Sequence, residues 1–150
     1  MSSSAVRTLI LDFLDTNAPT ESVVDLTAQF GEIKEFIADV GVQPESPWLG
    51  VQFIGSDEVP ISLAATNDQG KYRESGGIYL HIVDVARLGV GPRLLTRGET
   101  LRNLFRGTRI GDIIIESVTP LNFDSGATLQ FEGGYMSGSF LISYIFDLDM

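Results

Sequence analysis

The feature that most constrains the fold is a change in the spacing of apolar residues along the chain. Near the N-terminus they recur at helical intervals, at Val6, Leu9, Ile10, Phe13 and Leu14. From residue 48 onward they mostly alternate with polar residues, which is the period of a strand with one buried face. A chain that opens with a helix and continues mainly as strands predicts an α+β domain.

The apolar spacing and the turn residues together predict the elements. Strands are predicted over residues 48–54, 59–65, 78–85, 110–118 and 139–148, and a strand or an extended connection over residues 22–26. Helices are predicted over residues 4–17 and 32–40, and from a capping box at Thr96–Glu99 up to Gly107. Turns, loops or an irregular hairpin are predicted over residues 55–58, 66–77, 88–92 and 122–136. We therefore expect a mostly antiparallel or mixed sheet with two main helices packed on one face, and a second face buried by a neighbour.

Length and composition restrict the class of protein. A chain of 150 residues fits one domain, 1–150. It contains no cysteine, which excludes disulfides, thiolate catalysis and cysteine-based zinc sites. The sequence shows no secretory signal and no apolar run approaching the roughly 20 residues of a membrane span. We expect an intracellular protein.

Charge is distributed unevenly along the chain. The formal net charge is −10, made up of −9 over residues 1–68, +5 over residues 69–110 and −6 over residues 111–150. A strongly acidic chain is a poor candidate for nucleic-acid binding, which depends on neutralising phosphates. A basic middle between acidic flanks fits a surface that meets a copy of itself head to tail, or simply a solvated surface.

Residues suited to catalysis are scarce. The only histidine, His81, lies inside a predicted strand and is expected to be structural. No nucleophile motif, phosphate-binding loop or metal-binding spacing accompanies it. The adjacent carboxylates Asp57 and Glu58 are expected to be solvated turn residues. We therefore predict no catalytic residues, no metal and no cofactor.

Basic residues offer the more informative pattern. Arginine is common at interfaces because its planar fork pairs with carboxylates. A subunit or partner interface is predicted at Lys71, Tyr72, Arg73, Arg97, Arg102, Arg106 and Arg109. The first three lie in the predicted polar loop, as a docking finger or a mobile hairpin tip. Arg102 and Arg106 are expected to meet carboxylates of a neighbouring chain, and a solvent-facing stripe is the alternative.

The order of elements and the residues at their junctions resemble the tail terminator proteins of long-tailed bacteriophages. After the N-terminal helix, four segments carry the resemblance: residues 47–53 (PWLGVQF), 77–83 (GIYLHIV), 104–107 (LFRG) and 138–144 (GSFLISY). The resemblance covers the first helix and most of residues 45–150. Residues 31–46 depart from the pattern.

The resemblance implies a structural virion protein at the tail–neck junction, assembled in the bacterial cytoplasm. Such a protein forms a hexameric ring that caps the tail tube, stops its polymerisation and joins it to a neck or head-completion protein. DNA would pass through the lumen without specific binding. The alternatives are another neck, connector or tail-tube protein and, from a different class, a small ligand-binding domain or enzyme.

Overall fold

A computed structural model describes residues 4–26, 48–62, 71–85, 90–122 and 135–149. Two helices are present in these ranges, α1 (Ser4–Asn17) and α2 (Val90–Phe105). Six strands form one sheet: β1 (Ser22–Asp25), β2 (Trp48–Ser62), β3 (Lys71–Val85), β4 (Arg109–Ile110), β5 (Ile113–Val118) and β6 (Tyr135–Asp149). The strand order is β1-β2-β3-β6-β5-β4, with β1 parallel to β2 and the other neighbours antiparallel. The predicted α+β class with a mixed sheet is confirmed.

Both helices pack on the same face of the sheet, which we call the helix face. The apolar side of α1 contributes Val6, Ile10 and Leu14 to a buried cluster with Leu94, Leu101 and Phe105 of α2. Directly opposed strand residues complete the cluster, because a strand sends alternate side chains to one face. Among them are Val51, Leu80, Phe140, Ile142 and Tyr144. This burial is the main contribution to the stability of the domain.

The opposite face of the sheet, which we call the second face, has two parts. Where β1 pairs with β2, Trp48, His81 and Val83 are buried, and Leu26 lies over Gly50. Toward the other end of the long strands the apolar side chains are only partly covered. Ile145 is half-buried there and Ile114 keeps 39% of its surface exposed. A single exposed apolar side chain is common on protein surfaces and does not by itself indicate a contact.

Two predicted interruptions in the sheet are wrong. Residues 55–58 were predicted as a turn, but β2 continues through them and only shifts register between Ile54 and Asp57. Such a shift accommodates an irregularity without ending the strand. The predicted loop over residues 66–77 is also too long, because β3 already begins at Lys71 and pairs with β2 and β6. Pairing on both sides outweighs the weak local preference of a polar, glycine-containing segment.

The start of α2 differs from its prediction as well. The helix begins at Val90, inside the predicted loop, and Pro92 occupies its first turn, where a missing N–H costs no helical hydrogen bond. The predicted capping box is therefore interior, and the Thr96 hydroxyl donates to the carbonyl of Pro92 instead. The helix ends at Phe105, and Gly107 follows two residues later with a positive φ of 66°, as predicted for the glycine that terminates it.

The predicted strand over residues 110–118 is two strands. β4 and β5 form a tight hairpin that turns at Gly111, whose φ is 58°. The predicted helix over residues 32–40 lies outside the described residues. So does most of the predicted hairpin over residues 122–136, of which Asn122 bridges to Ser139.

Candidate subunit interface

The arginines of α2 differ in how their own chain surrounds them. Arg97 forms a forked ion pair with Glu21, with Nε lying 2.9 Å from Oε1. A further guanidinium nitrogen donates to the carbonyl oxygen of Val83 at 3.3 Å. Because both partners are largely enclosed, this pair ties α2 to the segment after α1 and leaves Arg97 little freedom to contact another chain.

Arg102 is also enclosed by its own chain. Its side chain is buried, and it forms an ion pair at 2.9 Å with Glu99, one helical turn earlier. A second guanidinium nitrogen lies 3.5 Å from the carbonyl oxygen of Val118. Glu99 remains more than half exposed, so the carboxylate of this pair is open to solvent and the guanidinium is not. Contact between Arg102 and a neighbouring chain stays a prediction, with little guanidinium surface left to make it.

Arg106 and Arg109 are exposed; Arg109 is the first residue of the short edge strand β4, and Arg106 lies three residues before it. Within the described residues, the guanidinium of Arg106 has no hydrogen bond and no ion pair. Arg109 donates to the carbonyl oxygen of Gly111 and lies 3.8 Å from Asp112. That pair is widely spaced and open to water, so it holds Arg109 only weakly. These two arginines are the available basic groups at this edge.

The segment predicted as a docking finger is part of the sheet. Lys71, Tyr72 and Arg73 form the first residues of β3, each opposite a residue of β6. Arg73 faces Asp147 directly and makes a forked pair with it at 2.8 and 3.1 Å. The hydrogen bonds and charge of Asp147 raise the pKa of the Arg73 guanidinium above its ordinary value. The seven predicted residues therefore do not form one patch, since Arg73 lies on the second face and α2 on the helix face.

An acidic edge that the sequence did not single out lies across the sheet. β1 pairs with β2 only as far as Val51. Beyond that residue, no described strand covers the outer side of β2, and Asp57 and Glu58 are exposed there. Neither carboxylate makes an ion pair or hydrogen bond within the described part of the chain. The two adjacent acids are visible in the sequence, but the composition of residues 55–58 predicts that they lie in a solvated turn and not at a sheet edge.

His81 is buried on the second face and structural in its contacts. Its Nε2 lies 2.9 Å from Oε1 of Gln52, and its ring stacks on Tyr79 with centroids 5.8 Å apart. Burial lowers the pKa of His81 to about 4, because the apolar surroundings disfavour the charged imidazolium. The imidazole is fully enclosed, so a molecule dissolved in water cannot reach it without local opening.

No cluster of three or more histidine, aspartate or glutamate side chains suited to holding a metal ion occurs among the described residues. Neither described helix has the length and apolar character that a membrane crossing requires. The sequence matches no known protein family and no curated protein.

Proposed function

We propose that this protein is a structural component of a bacteriophage tail. In this proposal it forms a ring that caps the tail tube, stops tube polymerisation and joins the tube to the neck. The ring contains six copies at the tail–neck junction of the virion. The ring has one surface that contacts the tube, one surface that contacts the neck protein, and a lumen through which DNA passes.

The arrangement of elements supports this proposal. The segments that resemble tail terminators form α1, β2, β3, the end of α2 and β6. They pack around one apolar cluster, with three long strands at the centre of the sheet. The segments that carry the resemblance therefore form the core helices and strands of the domain, which are the elements that proteins of one fold have in common.

The observation that carries the proposal is the separation of unpaired charge. Arg106 and Arg109, exposed and without a firm partner in the described chain, lie at the β4 edge, and the exposed Asp57 and Glu58, likewise unpaired there, lie at the β2 edge. The separation is not complete, because exposed acids also lie on α1 (Asp12, Asp15) and on the β4–β5 side (Asp112, Glu116). A ring is closed by a contact between two different surfaces of identical copies. Opposite charge on opposite edges is the arrangement that such a contact uses, because it favours one relative orientation.

A tail-tube or connector protein is the second candidate, because its copies could also meet through oppositely charged surfaces. The two differ in how the assembly ends. A terminator forms a closed ring of fixed size, whereas a tube protein continues to stack. An enzyme is less well supported, since the one histidine is enclosed and its only described polar side-chain contact is with Gln52.

Removal of the protein during phage assembly tests the proposal. Without a terminator, we expect tail tubes of abnormal and variable length that fail to join heads, and supply of the protein in trans should restore the normal length. Electron microscopy of the lysate measures both. Tails of normal length that still join heads would overturn the terminator function, and complete absence of tubes would favour the tube protein.

A further inference from the structure

We propose that neighbouring copies in the ring meet edge to edge, with Arg106 and Arg109 of one copy against Asp57 and Glu58 of the next. The inference rests on the proposed ring-forming function and adds which surfaces close the ring. The occupant of each edge is therefore a second copy of this chain.

Strand register places the two edges in line with one another. Arg109 pairs with Ile114, Ile114 with Ile145, Ile145 with Ser75, and Ser75 with Asp57. Directly opposed residues share a face of the sheet. Arg109 and Asp57 therefore stand at the two ends of one row on the second face. The row spans five strands, or about 19 Å at the usual spacing between strands.

The neighbouring row gives the same result on the helix face. It runs from Ile110 through Ile113, Phe146 and Glu74 to Glu58. Arg106 follows the last residue of α2, which packs over this face, and so lies at the helix-face side of the β4 edge. An acid and a base are thus exposed near the two ends of each row. A second copy placed beyond the β4 edge, and rotated so that successive copies close into a ring, would bring Arg109 toward Asp57 and Arg106 toward Glu58.

The remaining charges favour these two edges over other pairs. Arg97, Arg102 and Arg73 are already paired within the chain. Asp147 is one of the C-terminal acids that could pair with an arginine of a neighbouring copy, but it already pairs with Arg73 of its own chain. Asp12 and Asp15 on α1 are exposed and unpaired within the described residues, but they are not aligned with Arg109 by any strand register. Glu116 of β5 is also exposed without an ion pair there, but it lies on the same side of the sheet as Arg109, as does Asp112, and so is not placed to receive the arginine of a copy beyond the β2 edge.

Side chains rather than a continuous sheet are expected to make this contact. The outer side of β2 carries two register irregularities, between Ile54 and Asp57 and between Pro60 and Ser62. Proline and irregular backbone at an edge oppose the addition of another strand. Ile114, beside Arg109 on the second face, supplies apolar surface next to the charges. A contact of this kind should weaken as salt screens the charges.

Two charge-reversed variants test the contact. The first, Arg106→Glu with Arg109→Glu, makes both edges acidic. The second, Asp57→Arg with Glu58→Arg, makes both edges basic. Each variant alone should fail to form rings, or should require a concentration at least about tenfold higher than the unaltered protein. Native mass spectrometry and negative-stain images measure the assembly, and circular dichroism verifies that each variant is folded.

An equimolar mixture of the two variants provides the decisive observation. Each contact in the mixture can pair an acidic edge with a basic edge when the variants alternate. Rings should therefore reappear, with equal numbers of the two variants and an even number of copies. The masses of the variants differ, so the composition of each ring is measured directly. Failure of the folded variants to assemble in the mixture would overturn the contact.

A matched control is Asp12→Arg with Asp15→Arg, which reverses two unpaired acids away from both edges and should leave ring assembly unchanged. Loss of rings in this control would overturn the assignment of the contact to the two edges, because reversal of acids elsewhere would then have the same effect. If a reversed variant does not fold, two milder variants replace it: Arg106→Gln with Arg109→Gln, and Asp57→Asn with Glu58→Gln. Each should weaken assembly, and unchanged assembly would overturn the contact.

If the unaltered protein forms closed rings and every variant does too, the edge contact is wrong and the ring function stands. If no closed ring forms in purified protein or in tails, the ring function itself fails.

Discussion

The arginines at the two ends of α2 differ in their partners and in their exposure to solvent. Toward its beginning, Arg93 and Arg97 lie against Asp84 and Glu21, both acids of the same chain and both largely enclosed. At its end, Arg106 has no partner within the described residues. Arg102 lies between these extremes, with a buried guanidinium and an exposed carboxylate partner.

This difference separates arginines that support the fold of their own chain from one that remains accessible to another molecule. A buried ion pair fixes neighbouring elements, and removal of one partner leaves the other charge enclosed in a medium of low polarity. An exposed arginine adds little to the stability of its own domain and remains available to another molecule. The same residue type thus holds α2 in place at one end and offers a contact at the other.

The largest effect is expected for the enclosed pair at Arg97. Substitution Arg97→Ala should lower the free energy of unfolding by about 3–5 kcal/mol, because Glu21 would keep a charge in a largely enclosed site. Chemical denaturation measures the change. In the double variant Arg97→Met with Glu21→Leu most of the stability should return, since apolar side chains of similar volume can replace a buried pair. A loss below 1 kcal/mol in the single variant would contradict the structural role.

His81 is a buried base whose ring is paired with no acid among the described residues. The unfolded histidine takes up a proton below pH 6.5, whereas the folded one resists it down to about pH 4. Stability from neutral His81 is therefore complete above pH 6.5 and is lost as the pH falls to about 4, by about 3 kcal/mol in total. Denaturation curves of the native protein and of His81→Leu, compared across this range, isolate the contribution. Parallel pH profiles for the two proteins would show that His81 is not protected from protonation.

A smaller effect is expected at Arg102. Substitution Arg102→Met keeps most of the apolar stem and removes the pair with Glu99, whose carboxylate is already solvated. The free energy of unfolding should fall by about 1 kcal/mol. A loss as large as that of Arg97→Ala would mean that the two sites are equivalent.

The smallest effect on the isolated domain is expected at the exposed end. Substitution Arg106→Gln with Arg109→Gln should change the free energy of unfolding by no more than about 0.5 kcal/mol, as exposed substitutions usually do. Thermal melting of unassembled protein measures this. A destabilisation above about 2 kcal/mol would show that these arginines support the fold.

The sequence predicted the parts of the fold that depend on local apolar spacing. α1 and the central strands lie where the pattern indicated, because one continuous face of each element enters the core. Residues 55–58 and 71–77 were mispredicted because their composition favours turns while pairing with β3 or β6 holds them extended. Local chemistry could not reveal that pairing.

The candidate interface was less accessible to prediction for the same reason. Arg97 meets Glu21, 76 residues earlier in the chain, so its enclosure follows from the packing of α2 and not from its neighbours in sequence. The alignment of Arg109 with Asp57 requires the register of five strands. The sequence showed that acidic and basic residues are concentrated in different segments. It could not show which of these side chains form ion pairs within the chain and which do not.

The proposed function is tested most directly by a reconstruction of the tail–neck junction in particles assembled with this protein. Under the proposal we expect one closed ring of six copies at the end of the tube, in which the β4 edge of each copy faces the β2 edge of the next. One or two copies at that position, or a stack of copies continuing along the tube, would contradict it.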